Sequence, residues 1–317
     1  MKDTLLWRKY ALKGIIVAIQ RRVLHRPGNW RKWAGKEILN LDVCNEMIAD
    51  AINSKKPFMA ARMTGCEENS ILAIEESYFK RNNEARIEHM RQEISKLSGM
   101  FSNDDANFHK FVEFYRDKLK EVDLLTVGFS RSEEFLLLKY APQAQYTKME
   151  SLEPYYRDKE AWSSALKGKK VLVIHPFADT IQSQYARREK IWKREDILPE
   201  FELITLKAVQ TLCGEQDERF ETWFDALDYM INEVKQIDFD VALIGCGAYG
   251  LPLTAAVKEM GKQGIHLGGA TQILFGIIGK RWEQSPFFKA FMNEYWVRPS
   301  EEEKPKHADR VEGGCYW

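Results

Sequence analysis

FDVALIGCGAYG, residues 239–250, decides the fold. Val241 to Ile244 reads as a buried strand, the run closes in G-x-G-x-x-G at Gly245, Gly247 and Gly250, and a helical pattern runs from Leu251 to Met260. Glycine at such a turn lets backbone amides and the positive end of a helix approach an anion, so the segment predicts a diphosphate site inside an α/β enzyme. A tight turn with no ligand is the alternative reading. A dinucleotide site also needs an acid about 20 residues on to hold a ribose. The chain has Ile265-His266-Leu267-Gly268-Gly269 there, so NAD is not expected, whereas a nucleotide diphosphate is.

Outward from this turn, strands are expected at Val171–Ile174, Phe201–Lys207 and Ile265–Leu267, with a helix at Phe220–Gln236. Upstream lie a helix at Leu41–Asn53, a strand at Pro57–Ala61, helical stretches at Ser70–Leu97 and Asn107–Lys120, a strand at Asp123–Gly128 and a weaker one near Tyr146–Met149. Loops are expected at Asn82–Asn83 and Ser102–Asp105. Strand and helix alternate with short joins, which predicts a doubly wound, mainly parallel, Rossmann-like sheet flanked by helices. Three regions follow: a basic amphipathic helical segment at 1–40, an α/β catalytic domain at 41–299 whose halves, about 41–160 and 161–299, share a cleft, and a polar tail at 300–317. The tail has no apolar period and is expected to be mobile in part.

The 317 residues carry 47 Lys and Arg against 47 Asp and Glu, a balance that argues against bulk nucleic-acid binding. The first 36 residues depart from it, with Asp3 alone opposing ten cations among leucines, isoleucines and tryptophans. The apolar run from Gly14 to Ile19 is far below the ~20 residues that span a bilayer. Two readings remain for this segment: a helix lying on an anionic membrane surface, or one packing on the protein's own core. The five cysteines form no C-x-x-C pair, which fits reduced thiols in a cytoplasmic protein, at most attached to the inner face of the membrane.

Chemistry-bearing residues cluster after the expected strands. Arg62 follows the strand ending at Ala61 and leads to Glu67 and Glu68, acids able to ligate a divalent cation, act as base or simply open a helix. His175 ends another strand and suits proton transfer, with Asp179 beyond it. Gly268, Gly269 and Gln272 follow a third, with Arg281 at a cationic exit suited to closing over phosphate.

These blocks (Pro57-Phe58, Arg62 and Glu67; VLVIHPFADTIQSQYARR at 171–188; FDVALIGCGAYGLPL at 239–253; GIHLGGATQILFGIIGKRW at 264–282) resemble the GT-D-type glycosyltransferases of bacterial surface-polysaccharide and glycoprotein synthesis. The resemblance spans Lys55 to Trp282. That family's R-x-G-D-G-E block falls on Arg62 to Glu67, with Gly65 in place of the Asp. The resemblance implies transfer of a sugar from a nucleotide-diphosphate sugar, a UDP-sugar in this family, to a hydroxyl of a glycan or lipid-linked glycan acceptor. Glu67 is then the base or orients the acceptor, with His175 the runner-up. Arg62, Asp179, Gly245, Gly247, Gly250, Gly268, Gly269, Gln272 and Arg281 contact the donor. Mg2+ or Mn2+ would be held through Glu67, or through Glu68 if the turn shifts. The rival readings are a nucleotide-dependent oxidoreductase and a catalytically inactive relative that binds a nucleotide or glycan.

Overall fold

The computed structural model describes residues 2–22, 31–80, 83–130, 132–311 and 313–317. Val23, Leu24, Arg26 and Trp30 of the basic segment and Asn82 of the expected loop lie outside them. Nine strands are described: β1 (Lys32–Trp33), β2 (Lys36–Leu39), β3 (Phe58–Ala61), β4 (Leu124–Thr126), β5 (Gln145–Thr147), β6 (Lys170–His175), β7 (Glu202–Lys207), β8 (Val241–Ile244) and β9 (Gln263–His266). The helices that shape the site are α1 (Lys2–Arg22), α2 (Leu41–Ser54), α3 (Gly65–Ser77), α4 (Glu84–Ser98), α5 (Asp105–Lys118), α6 (Glu133–Tyr140), α7 (Ala178–Tyr185), α8 (Trp223–Gln236), α9 (Gly250–Glu259) and α10 (Ala270–Leu274).

All nine strands belong to one sheet of order β1-β2-β5-β4-β3-β9-β8-β6-β7, parallel except for the β1–β2 hairpin. The architecture is the expected Rossmann-like one. Strand residues alternate between two cores, as period 2 requires. Met59, Leu172, Ile174 and Ile244 face one core, while Phe58, Val171, Val173 and Leu243 face the other. Both faces are covered by helices, which is why these strands read as continuous apolar runs. The helix after β6 buries Ile181 in one core, whereas the helix after β8 buries Leu251 and Leu253 in the other. Between β6 and β8 the chain therefore changes sides, and a crevice opens at the carboxyl ends of these strands.

The helical stretch over Ser70–Leu97 is two helices, α3 ending at Ser77 and α4 starting at Glu84 beside the expected loop, where the buried Asn83 donates its side-chain amide to the Ala73 carbonyl at 2.6 Å. One expectation is corrected. The tail expected to be partly mobile is docked on the second core through Ala308, Val311, Cys315 and Trp317. Ala308, Val311 and Cys315 keep an i, i+3, i+7 spacing, but only one short turn of 3-10 helix, Ala308–Arg310, forms there. The hairpin β1–β2 and the helix α6 are further elements that the sequence pattern did not indicate. None of the five cysteines is joined in a disulfide, and no helix among the described residues is long and apolar enough to cross a membrane.

Candidate functional site

A cleft of about 540 Å3 opens at the carboxyl ends of β3, β6, β8 and β9. This is a volume of the size that small-molecule sites occupy. From the residues singled out in the sequence it brings together Arg62, His175, Gly245, Gly247, Gly268, Gly269, Gln272 and Arg281. Glu67, Glu68, Asp179 and Gly250 are not among its lining residues.

The parallel register puts Ile174 and His266 on either side of Ile244, so His175 and His266 flank the turn at Gly245. Nδ1 of His175 accepts the Phe177 amide at 3.0 Å, which leaves its proton on Nε2. A neutral ring in that tautomer offers a donor, so His175 fits ligand binding better than proton abstraction. His266, which also lines the cleft, bonds through Nδ1 to the Ile244 carbonyl at 3.1 Å. A carbonyl only accepts, so Nδ1 carries the proton and Nε2 keeps its lone pair. Burial pushes both imidazoles down to about 3.

The glycines answer first to packing. A Cβ on Gly245 would meet the Gly268 carbonyl oxygen at 2.5 Å and Thr271 Oγ1 at 2.6 Å. Gly247 has φ +56° and lies against the Ser98 carbonyl. A Cβ on Gly250 would sit 2.1 Å from Cε1 of His266, so this third glycine makes room for an imidazole ring. What remains for an anion is the backbone. Cys246 and Gly247 line the cleft, and their amides donate to no backbone carbonyl among the described residues.

Arg62 lines the same cleft as these amides. Nη1 donates to the Leu267 carbonyl at 3.2 Å, Cδ lies against Gly268, and Nε is buried with no hydrogen-bond acceptor. Glu153, a residue that sequence reasoning missed, feels the Arg62 charge without forming an ion pair among the described residues. Burial raises its carboxyl to about 7, opposed by the Tyr155 hydroxyl that donates to it at 2.6 Å and by Arg62.

The expected catalytic and metal carboxylates are committed elsewhere. Glu67 accepts from the Thr64 amide at 2.9 Å and from the Thr64 hydroxyl, closing a capping box at the start of α3. The Thr64-x-x-Glu67 spacing is the signature of that box, a signal present in the sequence. Glu68 is fully buried, and burial followed by the charge of Glu133 raises its carboxyl well above the usual range. Glu133 accepts from the Gly128 amide at 2.7 Å, and burial raises its carboxyl as well, against the lowering by Glu68 and the Gly128 amide. Asp179 is exposed and pairs with Lys207 at 3.0 Å. Among the described residues no group of three or more His, Cys, Asp or Glu is arranged around a metal position.

Other walls come from places the strand-end rule does not reach. His89 and Glu93 project from α4 one turn apart, and Glu93 is the one acid among the described lining residues. Tyr316 and Trp317 close the opposite side. The Arg281 guanidinium lies 4.7 Å from the Tyr316 ring centre and donates to its hydroxyl at 3.2 Å, and Gln272 donates to the Tyr316 carbonyl at 3.2 Å. This wall is held by Glu303, whose buried carboxylate accepts from the Asp179 amide at 2.8 Å and from the Thr180 amide and hydroxyl at the start of α7.

Comparison of the chain with protein-family models, with curated proteins and with solved structures gives no match.

Proposed function

We propose that the cleft binds a nucleotide-diphosphate sugar, a UDP-sugar on the sequence resemblance, and transfers its sugar to a hydroxyl of a glycan acceptor. The observation that carries this reading is the Arg62 guanidinium, fixed by the Leu267 carbonyl with a buried and unpartnered Nε, in the same cleft as the open amides of Cys246 and Gly247. A half-buried guanidinium without a bound carboxylate is stabilised by an anion, and a planar fork suits a diphosphate.

In this reading the acceptor oxygen attacks the anomeric carbon as the bond from that carbon to the diphosphate oxygen breaks. Arg62 and the Cys246 and Gly247 amides offset the charge that develops on the leaving diphosphate. His175 donates from Nε2, and Tyr316 offers a flat face to a base or sugar. The acceptor proton goes to Glu93, the carboxylate that reaches the cleft; Glu67 instead positions Thr64 and the turn before α3. The residues present do not fit the divalent cation implied by the resemblance, because Gly65 brings no carboxylate, Glu67 is taken by Thr64, and Glu68 is buried outside the lining of the cleft. No step is assigned to a cation.

The test is calorimetric titration with UDP, a panel of UDP-sugars and NAD(H), followed by donor hydrolysis without acceptor. Binding of UDP that falls ten-fold or more in Arg62→Gln supports the reading. Binding of NAD(H) alone, or unchanged UDP affinity in Arg62→Gln, overturns it. Binding of UDP-sugars with no hydrolysis or transfer leaves a binding protein in place of a transferase.

A further inference from the structure

Helix α1 carries two apolar faces. The inner face holds the helix to the protein: Tyr10 is buried, Leu6 and Trp7 pack on the first core, and the Trp7 ring stacks on Phe79 with centroids 6.1 Å apart. Lys13 bridges onward, pairing with Glu134 at 2.7 Å and lying 5.6 Å over the Trp33 ring. Ala34 donates to the same Glu134 carboxylate at 2.9 Å, so the β1–β2 hairpin is fastened beside the helix.

The outer face is the unexplained one. Leu5, Leu12, Ile16 and Ile19 are 63%, 60%, 48% and 51% exposed. At 100° per residue they fall within about 60° of one another, roughly opposite Trp7 and Tyr10. Arg8 stands at one margin of this stripe, between Ile19 and the likewise exposed Ile15, and Lys9 at the other, both exposed, and Arg31 and Lys32 beside the neighbouring hairpin are exposed as well. An apolar stripe bordered by cations on both edges matches acyl chains below and anionic headgroups beside it. A two-fold partner copy would set Arg8 and Lys9 against their own equivalents, which like-charge repulsion disfavours. Among the described residues no helix is long and apolar enough to cross a bilayer, so the contact is one of lying on the surface.

We infer that the outer face of α1 seats the protein on an anionic lipid bilayer, with Leu5, Leu12, Ile16 and Ile19 entering the interface and Arg8 and Lys9 meeting the headgroups. The two sequence readings of this segment are thus divided between the two faces of one helix. The inference stands apart from the cleft and from any transferase activity.

The full chain is sedimented with vesicles of phosphatidylcholine alone and of phosphatidylcholine with phosphatidylglycerol at about three to one. The expected result is sedimentation with the mixed vesicles only, weakened roughly ten-fold on raising salt from about 0.1 to 0.5 M. Leu12→Glu/Ile16→Glu should lose at least ten-fold in binding with an unchanged melting temperature, since both residues are exposed. If that variant melts early, Arg8→Glu/Lys9→Glu carries the test with the same expected loss. Equal binding to both vesicle types, no loss in either variant, or a wild-type dimer that Leu12→Glu/Ile16→Glu converts to a monomer overturns the inference.

Discussion

His175 and His266, on the two strands that flank β8, carry their ring protons on opposite nitrogens: the first accepts at Nδ1 from a backbone amide, the second bonds through Nδ1 to a backbone carbonyl. The Gly245 turn therefore stands between a fixed donor and a fixed acceptor, both uncharged.

The two neutral rings make stability fall with acid. Each has a folded value of about 3 against an ordinary 6.5, so between those limits the unfolded chain binds more protons. Their contribution is complete above about 6.5 and is lost as pH falls toward 3, at up to about 1.4 kcal/mol per pH unit for each ring. Urea unfolding at pH 7 and pH 5 should show the wild type losing about 2 kcal/mol more than His175→Gln, the difference between the two proteins cancelling the carboxylates. Equal losses would mean that the ring is not held neutral by burial.

Glu67 and Glu93 should separate cleanly. Glu67→Gln weakens a capping box, so it should cost about 1 kcal/mol of stability and change turnover by only a few fold. Glu93→Gln touches no hydrogen bond of the folded core and should leave stability within about 0.5 kcal/mol while lowering turnover a hundred-fold or more. Chemical denaturation and initial rates on the same preparations check both. The reverse pattern would return the base to Glu67.

Gly250→Ala should destabilise the protein by more than 2 kcal/mol, since the new methyl would overlap the His266 ring. Gly250→Ala/His266→Ala should recover part of that loss, because the ring that clashes is gone. Thermal unfolding of the two single variants and the double variant closes the cycle. Simple additivity would show that Gly250 is required for another reason.

Glu303→Ala should loosen residues 300–317 and disturb the Tyr316 wall. Hydrogen bonds to a charged group contribute about 1.5–3 kcal/mol, so a loss in that range is expected together with weaker ligand binding. Limited proteolysis gives the readout, with faster cleavage beyond Ser300 in the variant.

Much of this fold was legible because buried parallel strands write themselves as short apolar runs. Val241–Ile244 was found to the residue and Val171–Ile174 within one residue at each end. The cleft was half legible, for strand-end residues such as Arg62 and His175 fall into place once strand order is known. Three features resisted. The Thr64-x-x-Glu67 spacing fits the reading in which Glu67 opens a helix, whereas the resemblance implies a base there, and residue chemistry alone does not choose between them. Glu93 joins the site only through the path of α4, which no local pattern specifies. The tail is held by Glu303, Val311, Cys315 and Trp317, sparse anchors set among charged and small residues in which no spacing is sustained.

The pairing of β3 with β9 joins Phe58 to Gln263, so the middle of the sheet closes only when about two hundred intervening residues have been gathered in. Long-range parallel pairing of this kind is slow to form. Until β9 arrives, β3 presents an open edge beside apolar neighbours, the surface from which strands add to other chains. Recovery from denaturant should therefore depend on protein concentration, and a fragment ending before β9 should aggregate rather than fold.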